Sequence, residues 1–308
     1  MQVYVVGAGA MGCLYGAAFA AGGCDVTLID ANAEHVAAIN RDGLEVETRQ
    51  GTARLPLAAR LPDEAQGAGD LILLMTKTYH SEAALAGVKH LIGEQTHVLT
   101  LQNGLGNVER VSAAHVPRGR ILVGVSTLPA DLVGPGRIRS LGDGGSKLYP
   151  AFSPETEFAA EVCRVLTSGG LPAQLEPDIL EAIWSKAVFN SAMNPLCALT
   201  RQTPGFFREK DESRALIAAM VEEGVAAARA SGIMIEAAPI HALTDVSMTD
   251  HADHEASMLQ DVKAGRRTEI DAISGAIVEA GRRKGVATPV TETMWRLVKL
   301  EEAKFAAA

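Results

Sequence analysis

The chain has 308 residues, enough for two domains with separate buried cores. Apolar residues make up 47% and charged residues 21%, the balance of a globular chain rather than a disordered one. The formal net charge is −9 and no lysine/arginine cluster is long enough to follow a phosphate backbone, which argues against nucleic acid as a partner.

Met1-Gln2-Val3-Tyr4-Val5-Val6-Gly7 lacks the basic start and long apolar stretch of a signal peptide. No run reaches the ~18 apolar residues of a membrane helix. A cytoplasmic protein with no membrane partner is expected. Cys13, Cys24, Cys163 and Cys197 are scattered without a CxxC pair, so buried, reduced thiols are expected rather than a disulfide framework or a zinc site.

In the first half, short apolar runs at 2–6, 25–30, 71–75, 97–101 and 120–126 read as strands, separated by helical spacing at 10–21, 33–40, 81–91 and 107–115. This alternation predicts a parallel sheet covered on both faces. Residues 43–61 show β-like alternation within a longer connection, and the glycine-rich stretch 127–149 is expected to extend the sheet. Beyond about Glu176 the pattern becomes helical, with helices predicted over 177–199, 211–231, 268–284 and 290–304. Asp211 suits a helix start, and Gly232 and Gly285 suit helix ends. The expectation is an α/β Rossmann-like domain with a parallel-core sheet over 1–175 and an all-α domain over 176–308.

Gly7-Ala8-Gly9-Ala10-Met11-Gly12 matches G-x-G-x-x-G directly after the first strand and at the start of a helix. In such a turn the first glycine permits the tight bend and the second lets the backbone approach a pyrophosphate. The third allows close helix–strand packing, and the helix N-terminus stabilises the phosphate charge. Asp30 ends the second strand, where a carboxylate accepts hydrogen bonds from the adenosine ribose. A 2′-phosphate would add about −1.5 to −2 charge beside it. Ala31, Asn32 and Ala33 follow with no arginine among them. NAD(H) is therefore favoured, with NADP(H) left open through a more distant base such as Arg41.

In Trp184-Ser185-Lys186-Ala187-Val188-Phe189-Asn190-Ser191-Ala192-Met193-Asn194-Pro195-Leu196, the residues Lys186, Asn190 and Asn194 recur at i, i+4 and i+8 and so share one helix face. Asparagine is a poor helix former, and a cation with two amides on one stripe suits a site for an anionic, oxygen-rich ligand. With Thr76-Lys77-Thr78, Leu101-Gln102-Asn103-Gly104-Leu105-Gly106, Ser257-Met258-Leu259-Gln260-Asp261 and Thr268-Glu269-Ile270-Asp271 in chain order, the sequence resembles the ketopantoate reductase (2-dehydropantoate 2-reductase) family over nearly its full length.

The resemblance implies that Lys186 is the catalytic lysine, bonding the ketone oxygen and donating the proton, and that Glu269 is its acidic partner. It implies substrate-binding roles for Asn190, Asn194 and Ser257, an active-site role near the nicotinamide for Asn103, and a place at the mouth between cofactor and substrate for Lys77. Independently, reduction of a 2-oxo acid places negative charge on the carbonyl oxygen, which a nearby ammonium stabilises and protonates. A partly desolvated lysine would have a lowered pKa. The site is expected in the cleft between the domains, near the carboxyl ends of the strands.

The sequence departs from the family's habit at three places. Asp30 stands where NADPH-preferring members usually carry arginine. His80 replaces a glutamine of some members, and Ala256 stands where many relatives have a second serine. His80 is read as a substrate contact or a pocket wall. The expected reaction is NAD(P)H-dependent reduction of a 2-oxo acid to an (R)-2-hydroxy acid, with ketopantoate as first candidate. The alternatives are an NAD-dependent D-2-hydroxyacid dehydrogenase of mandelate type, or a dinucleotide-binding regulator without turnover. His251-Ala252-Asp253-His254-Glu255 has HxxH spacing without an evident third ligand, so a solvated loop and no metal are expected. A homodimer stays open.

Overall fold

Strands and helices alternate from the first residues in the computed structural model, which describes residues 1–305. In order these are β1 (Gln2–Val6), α1 (Ala10–Ala21), β2 (Asp25–Ile29), α2 (Ala33–Asp42), β3 (Leu44–Thr48), β4 (Gly51–Leu55), β5 (Ala58–Arg60) and β6 (Leu71–Leu74). There follow α3 (Ser81–Gly87), β7 (His97–Thr100), α4 (Asn107–Ala113), β8 (Ile121–Ser126), β9 (Asp131–Gly134), β10 (Arg137–Ser140), β11 (Ser146–Pro150), α5 (Glu157–Ser168) and β12 (Ala173–Leu175). The chain divides into two compact units: Met1–Gln102 with Asn107–Ile179, and Asn103–Gly106 with the chain from Leu180 onward.

The first unit is built on an eight-stranded sheet in the order β12-β11-β8-β7-β6-β1-β2-β5. All neighbouring strands pair in parallel except β11, which runs antiparallel to β8. Both faces are buried, which is why the strands read as continuous apolar runs. Val3, Val5, Leu71, Leu73 and Leu99 pack with Phe19 and Leu166 on one side. Tyr4, Val6, Ile72, Leu74 and Val98 pack with Leu85 and Val111 on the other.

Several expectations change here. The stretch 43–61 does carry strands, as expected, but 127–149 does not simply extend the main sheet. Strands β3, β4, β9 and β10 form a separate four-stranded sheet, and only β5 and β11 join the large one. Arg54 and Arg137 flank Glu45, and Arg139 pairs with Glu47, so cross-strand charge pairs stabilise the exposed face of this small sheet. No helix is expected from the sequence over α5, which presents Ala159, Val162, Cys163, Val165 and Leu166 to the core at helical spacing. The segment 81–91 is not one helix: α3 ends at Gly87 and a 3₁₀ turn follows over Lys89–Leu91.

The second unit is helical: α6 (Ile179–Thr200), α7 (Asp211–Ala230), α8 (Ala237–Thr249), α9 (Ser257–Lys263), α10 (Ala276–Lys284) and α11 (Pro289–Ala303). Helices α8 and α9 are not among the elements the sequence predicts. The 22-residue α6 packs Val188, Ala192, Met193, Leu196 and Cys197 against Ile217, Met220, Val221 and Val225 of α7. Glu223 on α7 caps α11, its two oxygens accepting from the Val290 amide at 2.9 Å and the Thr291 amide at 2.8 Å. These are two of the amides a helix start leaves without intrahelical acceptors.

The expected helix 268–284 opens instead on a π-helical turn, Asp271–Gly275, before α10 begins. Such wide turns are frequent at functional sites. Among the described residues no helix is long and apolar enough to cross a membrane. The four cysteines are free thiols.

Candidate active site

In the first unit the glycine turn lies between β1 and α1. Gly7 has φ +96°, and a Cβ there would lie 2.6 Å from the Thr76 amide nitrogen, so the loop after β6 closes directly over the turn. A Cβ at Gly12 would lie 2.0 Å from the Gly7 carbonyl oxygen, so the turn's own backbone, more than the sheet, demands that glycine. At Gly9, by contrast, a Cβ would meet nothing within 4 Å. Ala8 is buried, while Ala10 and Met11 open α1 half-exposed, and the first turn of α1 carries no acidic residue. Open backbone and an uncompensated helix N-terminus together fit an anionic group such as a pyrophosphate.

Asp30 sits just past β2, and its Oδ1 accepts from the Asn32 amide at 2.9 Å, which fixes the carboxylate at the carboxyl end of the strand. Arg41 does not approach it. Its guanidinium is engaged by Asp42 at 2.6 Å, at the far end of α2. The arginine nearest in the strand register is Arg60 on β5, whose carbonyl accepts from the Asp30 amide at 3.2 Å.

Lys77 is half-buried and precedes the 3₁₀ turn Thr78–His80, whereas His80 is exposed with its ring edge-on to Tyr79. Gln102 organises this region without having been assigned a role from sequence. Its Nε2 donates to the Thr76 carbonyl at 2.6 Å and to Ser81 Oγ at 2.9 Å, and its Oε1 accepts from Thr100 Oγ1 at 3.0 Å. The sequence signals were a glutamine closing an apolar strand and its place in the segment 101–106 that carries the family resemblance.

In the second unit Lys186, Asn190 and Asn194 project from successive turns of α6. Asn190 and Asn194 are 8% and 6% exposed, and among the described residues neither side-chain amide has a hydrogen-bond partner. Buried amides are normally satisfied, so these two have hydrogen-bonding capacity that a ligand with polar atoms could take up. Pro195 follows directly. Having no N–H, it releases the carbonyl one turn back from its helical bond. At that turn Ser191 Oγ meets Ser274 Oγ of the π turn at 2.9 Å.

Burial pushes the Lys186 ammonium from its ordinary 10.5 down to about 8, against the opposing pull of the Glu269 carboxylate. Glu269 is itself 7% exposed and receives Asn103 Nδ2 at 3.5 Å, a long contact. Asn103 reaches it because the segment Asn103–Gly106 docks on the π turn. The Leu105 amide donates to the Ala272 carbonyl at 2.8 Å. Gly104, at φ +81°, lies so close that a Cβ would stand 2.2 Å from that same oxygen.

Lys186, Glu269 and Asn103 are thus brought together, with the two asparagines on the lysine's stripe. Ser257 differs: it is exposed at the start of α9, and among the described residues it makes no hydrogen bond to this group. His251 and His254 lie in the exposed loop before α9, and among the described residues no cluster of three histidine, cysteine or acidic side chains is arranged to hold a metal ion.

Comparison with known proteins gives this arrangement a context. Residues 3–151 match the sequence model described as Ketopantoate reductase PanE/ApbA, and residues 178–302 match that of its C-terminal region. A 2-dehydropantoate 2-reductase of Pyrococcus horikoshii is 35% identical over 306 residues, covering 98% of each chain. Among solved structures, a D-mandelate dehydrogenase with NADH and anilino(oxo)acetate superposes with a TM-score of 0.94 at 32% identity, covering 99% of this chain and 100% of that one. A ketopantoate reductase of Ralstonia eutropha gives 0.90 at 29% identity, again over 99% and 100%. Matched in both halves and along its whole length, the chain belongs to the ketopantoate reductase family of nicotinamide-dependent oxidoreductases acting on a CH–OH group.

Proposed function

We propose that the protein reduces a 2-oxo acid to an (R)-2-hydroxy acid, with ketopantoate as first candidate and NADH as the preferred cofactor. The observation that carries this reading is the lysine beside Glu269 and Asn103, its pKa lowered by burial, with two buried amides one and two turns along the same helix face that no described residue engages. A bound nicotinamide supplies the hydride. Lys186 Nζ stabilises the negative charge gathering on the carbonyl oxygen and donates its proton there. Glu269 keeps the ammonium charged and oriented, and Asn103 orients Glu269. Asn190 and Asn194 hold polar groups of the substrate, with Ser257 and His80 as outer contacts. In the first unit the backbone from Gly7 through Ala8, Gly9, Ala10 and Met11 to Gly12 takes the pyrophosphate, Asp30 takes the adenosine ribose, and Lys77 stands at the nicotinamide end. We assign residues 1–175 to cofactor binding and 176–308 to substrate binding, except for the loop carrying Asn103.

The preference for NADH rests on Asp30 and on the engagement of Arg41 elsewhere. A second reading keeps the chemistry and changes the substrate: the likeness to a D-mandelate dehydrogenase with NADH favours a bulkier 2-hydroxy acid. Initial rates with NADH and NADPH against ketopantoate, benzoylformate and other branched 2-oxo acids test both. Faster turnover of benzoylformate selects the second reading, and a clear NADPH preference refutes the role given to Asp30. Absence of turnover across the panel despite tight cofactor binding would leave a regulator.

A further inference from the structure

One buried polar group in the first unit has no part in the reading above. Cys13, on the second turn of α1, is fully buried, and its Sγ stands 3.0 Å from the carbonyl oxygen of Ala8 in the glycine turn. On its other side Sγ lies 3.6 Å from Nε2 of His35, a residue of α2 that is only 3% exposed. The Nδ1 atom of His35 accepts the Gly136 amide at 3.0 Å, from the turn joining β9 and β10.

These contacts fix the protons. A ring nitrogen that accepts from a backbone N–H carries no hydrogen of its own, so the neutral imidazole bears its proton on Nε2 and points it at the sulfur. The sulfur then accepts from His35, and its own S–H is left to donate to the Ala8 carbonyl. Burial raises the thiol pKa, so the proton is retained for that bond.

In a trans peptide the carbonyl and the following N–H point in opposite directions, and among the described residues no peptide bond is cis. Drawing the Ala8 oxygen inward onto Cys13 therefore turns the Gly9 amide outward, at the residue whose surroundings are open. We propose that Cys13 and His35 are positioning residues that aim the Gly9 amide at the cofactor's pyrophosphate. Through Gly136 they also tie the small sheet to the dinucleotide turn. The inference rests on the reading of this turn as a dinucleotide site.

The test is NADH titration of the full chain and of the variants Cys13→Ala, Cys13→Ser and Cys163→Ala, together with ¹⁵N NMR of the His35 ring. Losing one buried hydrogen bond corresponds to about fivefold weaker NADH binding for Cys13→Ala. That loss is expected in KM for NADH rather than in kcat. Cys13→Ser keeps a donor and should bind within about twofold of the wild type. Cys163→Ala, which truncates a buried thiol on α5, should bind as the wild type does. An unchanged Kd for Cys13→Ala, or a serine variant as weak as the alanine one, overturns the proposal by reducing Cys13 to packing. A His35 ring protonated at Nδ1 overturns the relay itself. A wild-type protein that binds neither NADH nor NADPH, with His35 still protonated at Nε2, refutes the dinucleotide reading and leaves the relay as a structural tie only.

Discussion

If Lys186 is the proton donor, the rate of ketone reduction must follow its charge. Its fall from 10.5 to about 8 corresponds to about 3 kcal/mol against the charged form, set by burial and partly offset by Glu269. At pH 7 about nine lysines in ten are protonated, and at pH 10 about one in a hundred. The profile of kcat/KM for the 2-oxo acid, which at saturating cofactor reports groups of the enzyme–cofactor complex, should be level below about pH 8 and then fall tenfold per pH unit. The assay is NADH oxidation with saturating cofactor and limiting 2-oxo acid across pH 6–10. Lys186→Met should lower kcat/KM by ~10²–10⁴ and abolish the falling limb. Lys186→Arg keeps a cation that does not titrate in this range, so its residual activity should be level to pH 10. A wild-type rate that is level to pH 10, or a limb near pH 8 that survives in Lys186→Met, would refute the assignment of Lys186.

Other outcomes follow from the same geometry. Because Glu269 raises the lysine's pKa, Glu269→Gln should move the falling limb to lower pH as well as slow turnover; a limb displaced to higher pH contradicts the pairing. Asn190→Ala and Asn194→Ala should each raise KM for the 2-oxo acid about fivefold, the value of one hydrogen bond, with KM for NADH unchanged in the same steady-state runs. Asp30→Arg should shift the NADPH/NADH ratio of kcat/KM toward NADPH by at least about tenfold, and an unmoved ratio removes Asp30 from cofactor choice. Glu223→Ala leaves two amides of α11 without their carboxylate and should lower stability in urea by about 1–2 kcal/mol, at unchanged KM for both substrates.

The glycine turn, the strand that precedes it and the stripe of Lys186, Asn190 and Asn194 were legible because each is local. A turn needs particular residues at fixed places, and a helix of 3.6 residues per turn puts i, i+4 and i+8 on one side whatever packs around it. The carboxylate at Asp30 was legible for the same reason, as the end of an apolar strand. Strand partnership was not: β3, β4, β9 and β10 carry ordinary strand patterns, and only their non-local pairing decides that they form a second sheet. Helix α5 did have a readable apolar spacing.

The site was only partly legible. The family resemblance, not any local pattern, implied an acidic partner for Lys186. Their closeness depends on α6 and the stretch before the π turn packing together, and the lowered lysine pKa depends on the burial that results. Arg41 shows the converse: near Asp30 in sequence, it is carried away along α2 to pair with Asp42. Sequence by itself determined the local elements, the turn's glycines and which side chains share a helix face, since these follow from backbone geometry. Tertiary structure alone decided which distant groups meet and how far each is removed from water, and with that the proton affinity of Lys186, because desolvation and Coulomb interaction depend on distance in space.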